Sequence, residues 1–204
     1  MHRADPAFLR LLKGYDVSEL DAHAGTAYGL WPDWRIAYVN PAWFRFADEN
    51  HGGEQFRDEW SLGANLMKAM PSALLDFYRK AYSACLEGGR TWTHDYECSN
   101  AREYQRFRQV VYPLGKSDGL LIVNRLSLSR PHDPRQRPCF AADCSFYQDP
   151  NGFVHQCSHC RMMKRQGPEQ RWEWVPEWVT RSPDNTSHTL CASCLGYYES
   201  MVSW

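Results

Sequence analysis

The sequence predicts an α+β protein: an antiparallel five-stranded sheet covered on one face by helices, followed by a small metal-binding module. Strand-like and helix-like patterns run in the order two strands, helices, three strands, which is the order of an antiparallel sheet with its helices inserted midway. Two C-x2-C pairs, Cys157-Ser158-His159-Cys160 and Cys191-Ala192-Ser193-Cys194, stand in the last quarter of the chain. Between these regions Pro131, Pro134 and Pro138 are set among charged side chains. Such a stretch cannot hold a helix or a central strand and reads as a linker. The expected organisation is residues 1–130 for the sheet domain with an N-terminal helix, 131–138 for the linker, and 139–204 for the cysteine-rich module.

Taken in order, Pro6 to Lys13 has the spacing of a short helix, with Phe8, Leu9, Leu11 and Leu12 apolar. Thr26–Trp31 and Arg35–Asn40 flank Pro32-Asp33-Trp34, a strand–turn–strand signature. Asn40-Pro41 combines a side chain that caps a helix with a proline suited to its first turn. A short helix over residues 42–47 is expected, stopped near His51-Gly52-Gly53. Residues 71–87 carry Leu74, Leu75, Tyr78, Ala81, Tyr82 and Cys85 at helical spacing, and Gly88-Gly89 ends that helix. Three strands follow, over 91–98, 104–113 and 120–128, with Gly115 to Gly119 as the loop between the last two. In the final strand Leu120, Ile122, Asn124, Leu126 and Leu128 share one face.

Hydrophobic residues make up 43% of the 204, and aromatic residues 14%, enough for a packed core. A net charge of −1 supplies no global attraction to nucleic acid or to an anionic membrane. Residues 135–204 hold equal numbers of basic and acidic side chains, and Arg161, Lys164 and Arg165 alone are too few for a phosphate-tracking surface. No long apolar run marks a signal peptide or a membrane span, so a cytoplasmic protein is expected.

Two residues between cysteines let both thiolates turn to one point, and two such pairs supply the ligands of a closed tetrahedral Zn²⁺ site. Cys157, Cys160, Cys191 and Cys194 are the expected ligands of a structural zinc ion. A metal-free thiol cluster is the alternative. His188, three residues before Cys191, is expected to support a ligand or to replace one. His159 is expected to face solvent, and His155, Cys139 and Cys144 complete no second set. A strand over Arg171–Val175 and a helix start at Pro176–Thr180 would place Trp172, Trp174 and Trp178 over the site. Disulfides are disfavoured by the clustering of the cysteines and by the absence of an export signal. A thiol–disulfide oxidoreductase would set its C-x-x-C in a βαβ context, which is not evident here.

The run Gly29-Leu30-Trp31-Pro32-Asp33-Trp34-Arg35-Ile36-Ala37-Tyr38-Val39-Asn40-Pro41-Ala42-Trp43 resembles the PAS sensor domain, and Arg106-Phe107-Arg108 through Tyr112-Pro113-Leu114 fits the same pattern. The resemblance covers about residues 20–130. Residues 139–204, with Gln156–Arg161, Trp172–Val179 and Ser187–Cys194, resemble a cysteine-rich tail that follows PAS domains in bacterial signalling proteins. The resemblance implies a cavity between sheet and helices that could hold a small molecule. Asn124, polar on an apolar face, is the candidate to bind it, or is a buried amide satisfied by its neighbours. No reactive-cysteine motif of a flavin photoreceptor is present, and Cys85 reads as core. The long helix has no histidine for haem, and His51 and His94 read as surface residues.

No P-loop, nucleophile elbow, zincin or kinase signature occurs. Relatives of this type often carry a kinase or cyclase after the tail, and these 204 residues encode neither. The expectation is a bacterial sensory or adaptor protein rather than an enzyme. Its PAS part would sense a small molecule or dimerise, through the N-terminal helix for example, and its zinc module would contact other signalling proteins. The alternatives are a haem, flavin or thiol/metal redox or gas sensor, and then a DNA-binding regulator.

Overall fold

The computed structural model describes residues 3–49, 59–169 and 171–201. They form two compact units that interleave along the chain. The first is Met1–Met70, Tyr78–Asp95 and Arg108–Leu126, and the second is Pro71–Phe77, Tyr96–Phe107 and Ser127–Trp204. The main sheet has the order β2-β1-β5-β4-β3. Its strands are β1 (Ala27–Leu30), β2 (Ile36–Val39), β3 (Trp92–Glu97), β4 (Glu103–Leu114) and β5 (Gly119–Pro131). This is the expected five-stranded antiparallel sheet, in which β1 runs antiparallel to both β2 and β5.

In the first unit, α1 (Pro6–Leu11) starts where the Asp5 carboxylate accepts from the Ala7 N–H at 2.7 Å. Helix α2 (Val17–Ala22) was not expected, although Asp16-Val17-Ser18-Glu19 has a capping sequence: Asp16 accepts from the Ser18 and Glu19 N–H groups. Helix α3 (Pro41–Glu49) begins at Asn40 as expected. Its expected stop at His51-Gly52-Gly53 lies outside the described residues. Helix α4 (Ser72–Gly88) ends with Gly89 left-handed at φ +61° and its N–H donating to the Cys85 carbonyl.

All residues of β1 and β2 are buried. Alternate positions of a strand point to opposite faces, so both faces here are covered. Toward one face Tyr28 and the Tyr82 ring of α4 bring their hydroxyls to 3.3 Å, and Trp43 of α3 packs edge-on against Tyr28 at 5.0 Å. On the other, Phe8 and Leu12 pack with Ala27, Ala37, Leu114 and Leu121. A Cβ on Gly29 would run into the Phe8 ring, so only glycine lets α1 lie this close to β1. Phe8 is therefore committed to the chain's own core, with Leu11 packed against it, while Leu9 is exposed.

Strand β5 continues through Arg130 and Pro131, into the start of the stretch expected to be a linker. Its pairing with β1 ends at the Ala27–Val123 pair. Among the described residues no strand pairs with that side of β5 beyond this point, and a terminal proline there costs no ladder bond. The same step explains Leu126 and Leu128: both keep the register of the apolar face yet are 49% and 36% exposed.

The N-terminal segment is tied down by charge. Arg3 forms two 2.8 Å hydrogen bonds to the Asp21 carboxylate, which also accepts from the Tyr38 hydroxyl at 2.8 Å. The Arg3 guanidinium holds the Asp21 carboxyl below its ordinary value against the opposing effect of burial, with Tyr38 helping. A carboxylate with a depressed folded-state pKa contributes stability above its unfolded pKa and loses it as pH falls through the folded one. Asp21→Asn is expected to cost about 1 kcal/mol at pH 7, since the pair is partly exposed. That cost should shrink as pH falls through the depressed folded-state value of Asp21, and thermal melts of both proteins from pH 7 into strong acid check it. A difference that persists unchanged in acid would exclude the ion pair as its source.

In the second unit a four-stranded sheet has the order β8-β7-β6-β9. It comprises β6 (Val154–Cys157), β7 (Met163–Lys164), β8 (Trp172–Glu173) and β9 (Thr186–Thr189), with β9 parallel to β6. Three helices accompany it, α5 (Cys144–Tyr147), α6 (Pro176–Thr180) and α7 (Ala192–Met201). A small core of Tyr147, Val154, Met163, Val175 and Trp178 underlies them. The strand expected over Arg171–Val175 spans only Trp172–Glu173. Glu173 points inward, where its carboxylate accepts from Tyr147 at 2.8 Å and from Arg165 at 3.2 Å. Among the described residues no helix is long and apolar enough to cross a membrane.

Candidate metal centre

Strand β6 ends at Cys157, and the chain turns through Ser158-His159-Cys160 to pair back as β7, with the Cys157 N–H donating to the Met162 carbonyl at 2.8 Å. The reversal forces Arg161 into the left-handed region at φ 63°, and its N–H donates to the Cys157 carbonyl at 3.0 Å. The second pair is made differently. The Ser158 N–H donates to the Thr189 carbonyl at 2.7 Å and fixes the end of β9 beside the first pair. Cys191 directly precedes α7, and Cys194 lies in its first turn. Thiolates at that end face the positive end of the helix dipole.

The four sulfurs lie within 4.8 Å of one another, and the residues are 0–8% exposed. Cys160 Sγ and Cys191 Sγ are 3.8 Å apart. A tetrahedral ion with Zn–S bonds of about 2.3 Å requires sulfur–sulfur edges of about 3.8 Å. The spacing therefore fits a metal ion, and it is far beyond the about 2.05 Å of a disulfide. These four cysteines could bind a metal ion together.

Electrostatics point the same way. Hydrogen bonds from Cys160, Cys191 and Cys194 hold the Cys157 thiol far below its ordinary value. Cys160 is pushed far up because its thiol bonds to Cys157, Cys191 and Cys194, and burial adds to the effect. The Cys157 thiolate is thus stabilised by its neighbours' protons, while ionisation of Cys160 and Cys194 is opposed. A dication at the centre removes that opposition by replacing the protons.

The surroundings correct several expectations. Met162, Leu190 and Trp172 pack against the cysteines. Trp178 belongs instead to the core with Tyr147 and Val154, and Trp174 is stacked by the Arg137 guanidinium at 4.6 Å. Only one of the three expected tryptophans covers the centre, because β8 is too short to carry the alternation to Trp174. His159 does not face solvent: its Nδ1 is 2.8 Å from the Tyr198 hydroxyl, and its ring packs on Tyr197 and Tyr198. Burial pushes the His159 imidazolium pKa down. His188 stands exposed on β9 opposite Gln156 and is not among the clustered ligand atoms. His155 bonds Asp149 at 3.0 Å, and Cys139 and Cys144 are exposed.

In the first unit Asn124 is 4% exposed. Its Nδ2 donates to Thr26 Oγ1 at 3.0 Å and its Oδ1 accepts from Gln109 Nε2 at 3.1 Å, while Tyr82 donates to Gln109 Oε1 at 3.0 Å. Asn124 is thus held by side chains, in a buried chain that reaches Tyr28, whose hydroxyl burial pushes up to about 12. His94, expected at the surface, is 1% exposed and stacked on Trp92 at 5.4 Å. Strand alternation was the missed signal, since Trp92 and His94 are two apart and share a face. Cys85 is core as expected, 3% exposed with its sulfur 3.5 Å from the Val111 carbonyl. His51 lies outside the described residues.

No family model matches the chain, and no curated protein does. Among solved structures it is similar to the phage VqmA–DPO complex, at 13% identity and TM-score 0.43 over 60% of this chain and 54% of that one. The chain thus spans about half of that protein's length. It is similar to the photoactive yellow protein domain of the sensor histidine kinase Ppr from Rhodospirillum centenum, at 17% identity and TM-score 0.40 over 56% of this chain and 95% of that domain. A PAS domain from a two-component sensor histidine kinase is similar at 14% identity and TM-score 0.37, over 58% of this chain and 99% of that one.

Proposed function

We propose that this chain is a bacterial signal-sensing or adaptor protein without catalytic output. Its PAS-like unit takes up a small molecule or mediates pairing of two copies, and its four-cysteine centre holds a structural zinc ion. The observation that carries this reading is the closure of the site. Four buried sulfurs within 4.8 Å of one another would fill every position of a tetrahedral zinc ion and leave no place for water or substrate. A closed site stabilises a surface, and the partners of that surface would be other signalling proteins. The aromatic side chains and the Asn124–Gln109–Tyr82 chain of the PAS-like unit are the groups that would meet a small molecule.

Elemental analysis and an absorption spectrum of the purified protein test the proposal. The expected result is about one zinc per chain and no band in the visible range. Iron with thiolate bands would replace the zinc centre by a redox site. Haem or flavin bands would move the function to a cofactor in the PAS-like unit. Salt-dependent binding to duplex DNA would establish the regulator reading in place of the adaptor.

A further inference from the structure

The second compact unit includes more than the cysteine-rich module. Pro71–Phe77, the first turns of α4, and Tyr96–Phe107, from the far ends of β3 and β4, belong to it together with Ser127–Trp204. Specific side chains make these attachments. The Phe77 ring meets Tyr198 of α7 at 4.8 Å, edge to face. The Tyr198 hydroxyl is 2.8 Å from His159 Nδ1. His159 stands between the two cysteines of the first pair, so its position is set by the turn that those sulfurs close.

A second attachment runs through Arg137. Its guanidinium donates to the Glu97 carboxylate of β3 at 2.8 Å, and the two side chains are only 14% and 10% exposed. The guanidinium lies over the Trp174 ring at 4.6 Å, and the His132 ring contacts the same indole at 4.6 Å. His132 is held in turn, its N–H donating to the Arg102 carbonyl and its Nε2 lying 2.8 Å from the Asn100 carbonyl. The residues expected to form a linker are therefore a strap, bonded on one side to β3 and to the segment joining it to β4, and on the other to Trp174.

We propose that the metal centre is a clasp on the sensor sheet: metal occupancy sets the order of the start of α4 and of the far ends of β3 and β4. This rests on the reading of the four cysteines as a metal site. The module has two strands of two residues each and a five-residue apolar core, too little to hold its turns without a staple. When the ion leaves, the first turn relaxes and His159 no longer fixes Tyr198. Phe77 then loses its contact with Tyr198, and Trp174 no longer shields the Arg137–Glu97 pair from water. Loss of the metal would thus reach residues of the helix and strands that continue, in the same chain, into the first unit.

Hydrogen exchange on the full chain, with zinc bound and after removal by a chelator, tests the clasp. Elemental analysis of both samples reports the metal independently. Amides in 73–77 and 96–107 are expected to exchange at least about tenfold faster without metal, while β1 and β2 keep their protection. In Phe77→Ala, which removes no ligand, the sample should keep its zinc but exchange rapidly over 73–77 in both states. Zinc bound and released with changes confined to 139–201 would overturn the clasp and leave the metal site standing. Protein with no metal and no zinc uptake would overturn the metal site itself, and the clasp with it.

Discussion

Cys157→Ser is expected to reduce bound metal from about one ion per chain to under a tenth, and to abolish the cooperative unfolding of the cysteine-rich module. Cys157 is wholly buried, its sulfur accepts from the Cys191 N–H at 3.4 Å, and hydrogen bonds from the other three thiols favour its ionised form. A serine hydroxyl at that place cannot ionise near neutral pH and is a harder, poorer zinc donor. Structural zinc sites contribute on the order of 10–16 kcal/mol of apparent binding free energy. The apolar core of Tyr147, Val154, Met163, Val175 and Trp178 offers about 1.5–3 kcal/mol for each side chain. The ordering entropy of a segment this long exceeds that sum. His188→Ala is the control: exposed on β9, it should leave the metal content unchanged. Equimolar zinc in Cys157→Ser, or lost zinc in His188→Ala, would show that the ligand set is wrongly drawn.

The parts of the fold that could be read from the sequence are those whose signal is local. Asn40-Pro41 announces a helix start because capping needs only one side chain and the next residues. The C-x2-C spacing announces convergent sulfurs because two intervening residues suffice to turn both inward. The missed features depend on residues far apart in the chain. His159 is half-buried against Tyr197 and Tyr198 from α7, and Trp174 is turned away from the centre by Arg137 and His132. Proline-rich composition suggested a free linker over 131–138, whereas Arg137 finds Glu97, forty positions earlier. Helix α2 is the exception, being local and legible at Asp16–Glu19, yet it has no residue buried enough to mark an apolar face.

Asn40→Ala is expected to destabilise the first unit by at least about 3 kcal/mol, because Asn40 does more than cap α3. It is wholly buried. Its Oδ1 accepts from the Trp43 N–H at 3.2 Å, the capping bond, and also from the Ala27 N–H of β1 at 3.0 Å. Its Nδ2 faces the carbonyls of Leu20 and Gly25 at 3.1 and 2.9 Å, with that of His23 at 3.4 Å. One amide thus joins the end of α2, the loop after it, the first strand and the start of α3. An alanine leaves these groups in a space that water cannot fill without further opening, and each buried group left without a partner costs about 1–3 kcal/mol. For a chain of this size that corresponds to a fall of roughly 6–12 °C in melting temperature. Asn40→Ser separates the two roles. Its hydroxyl can still accept from Trp43 but cannot reach the three carbonyls, so it should recover only the about 1 kcal/mol of a helix cap. Were Asn40→Ser to melt with the unmodified protein, the cap alone would account for Asn40, and the bonds to Leu20, Gly25 and Ala27 would carry no stability.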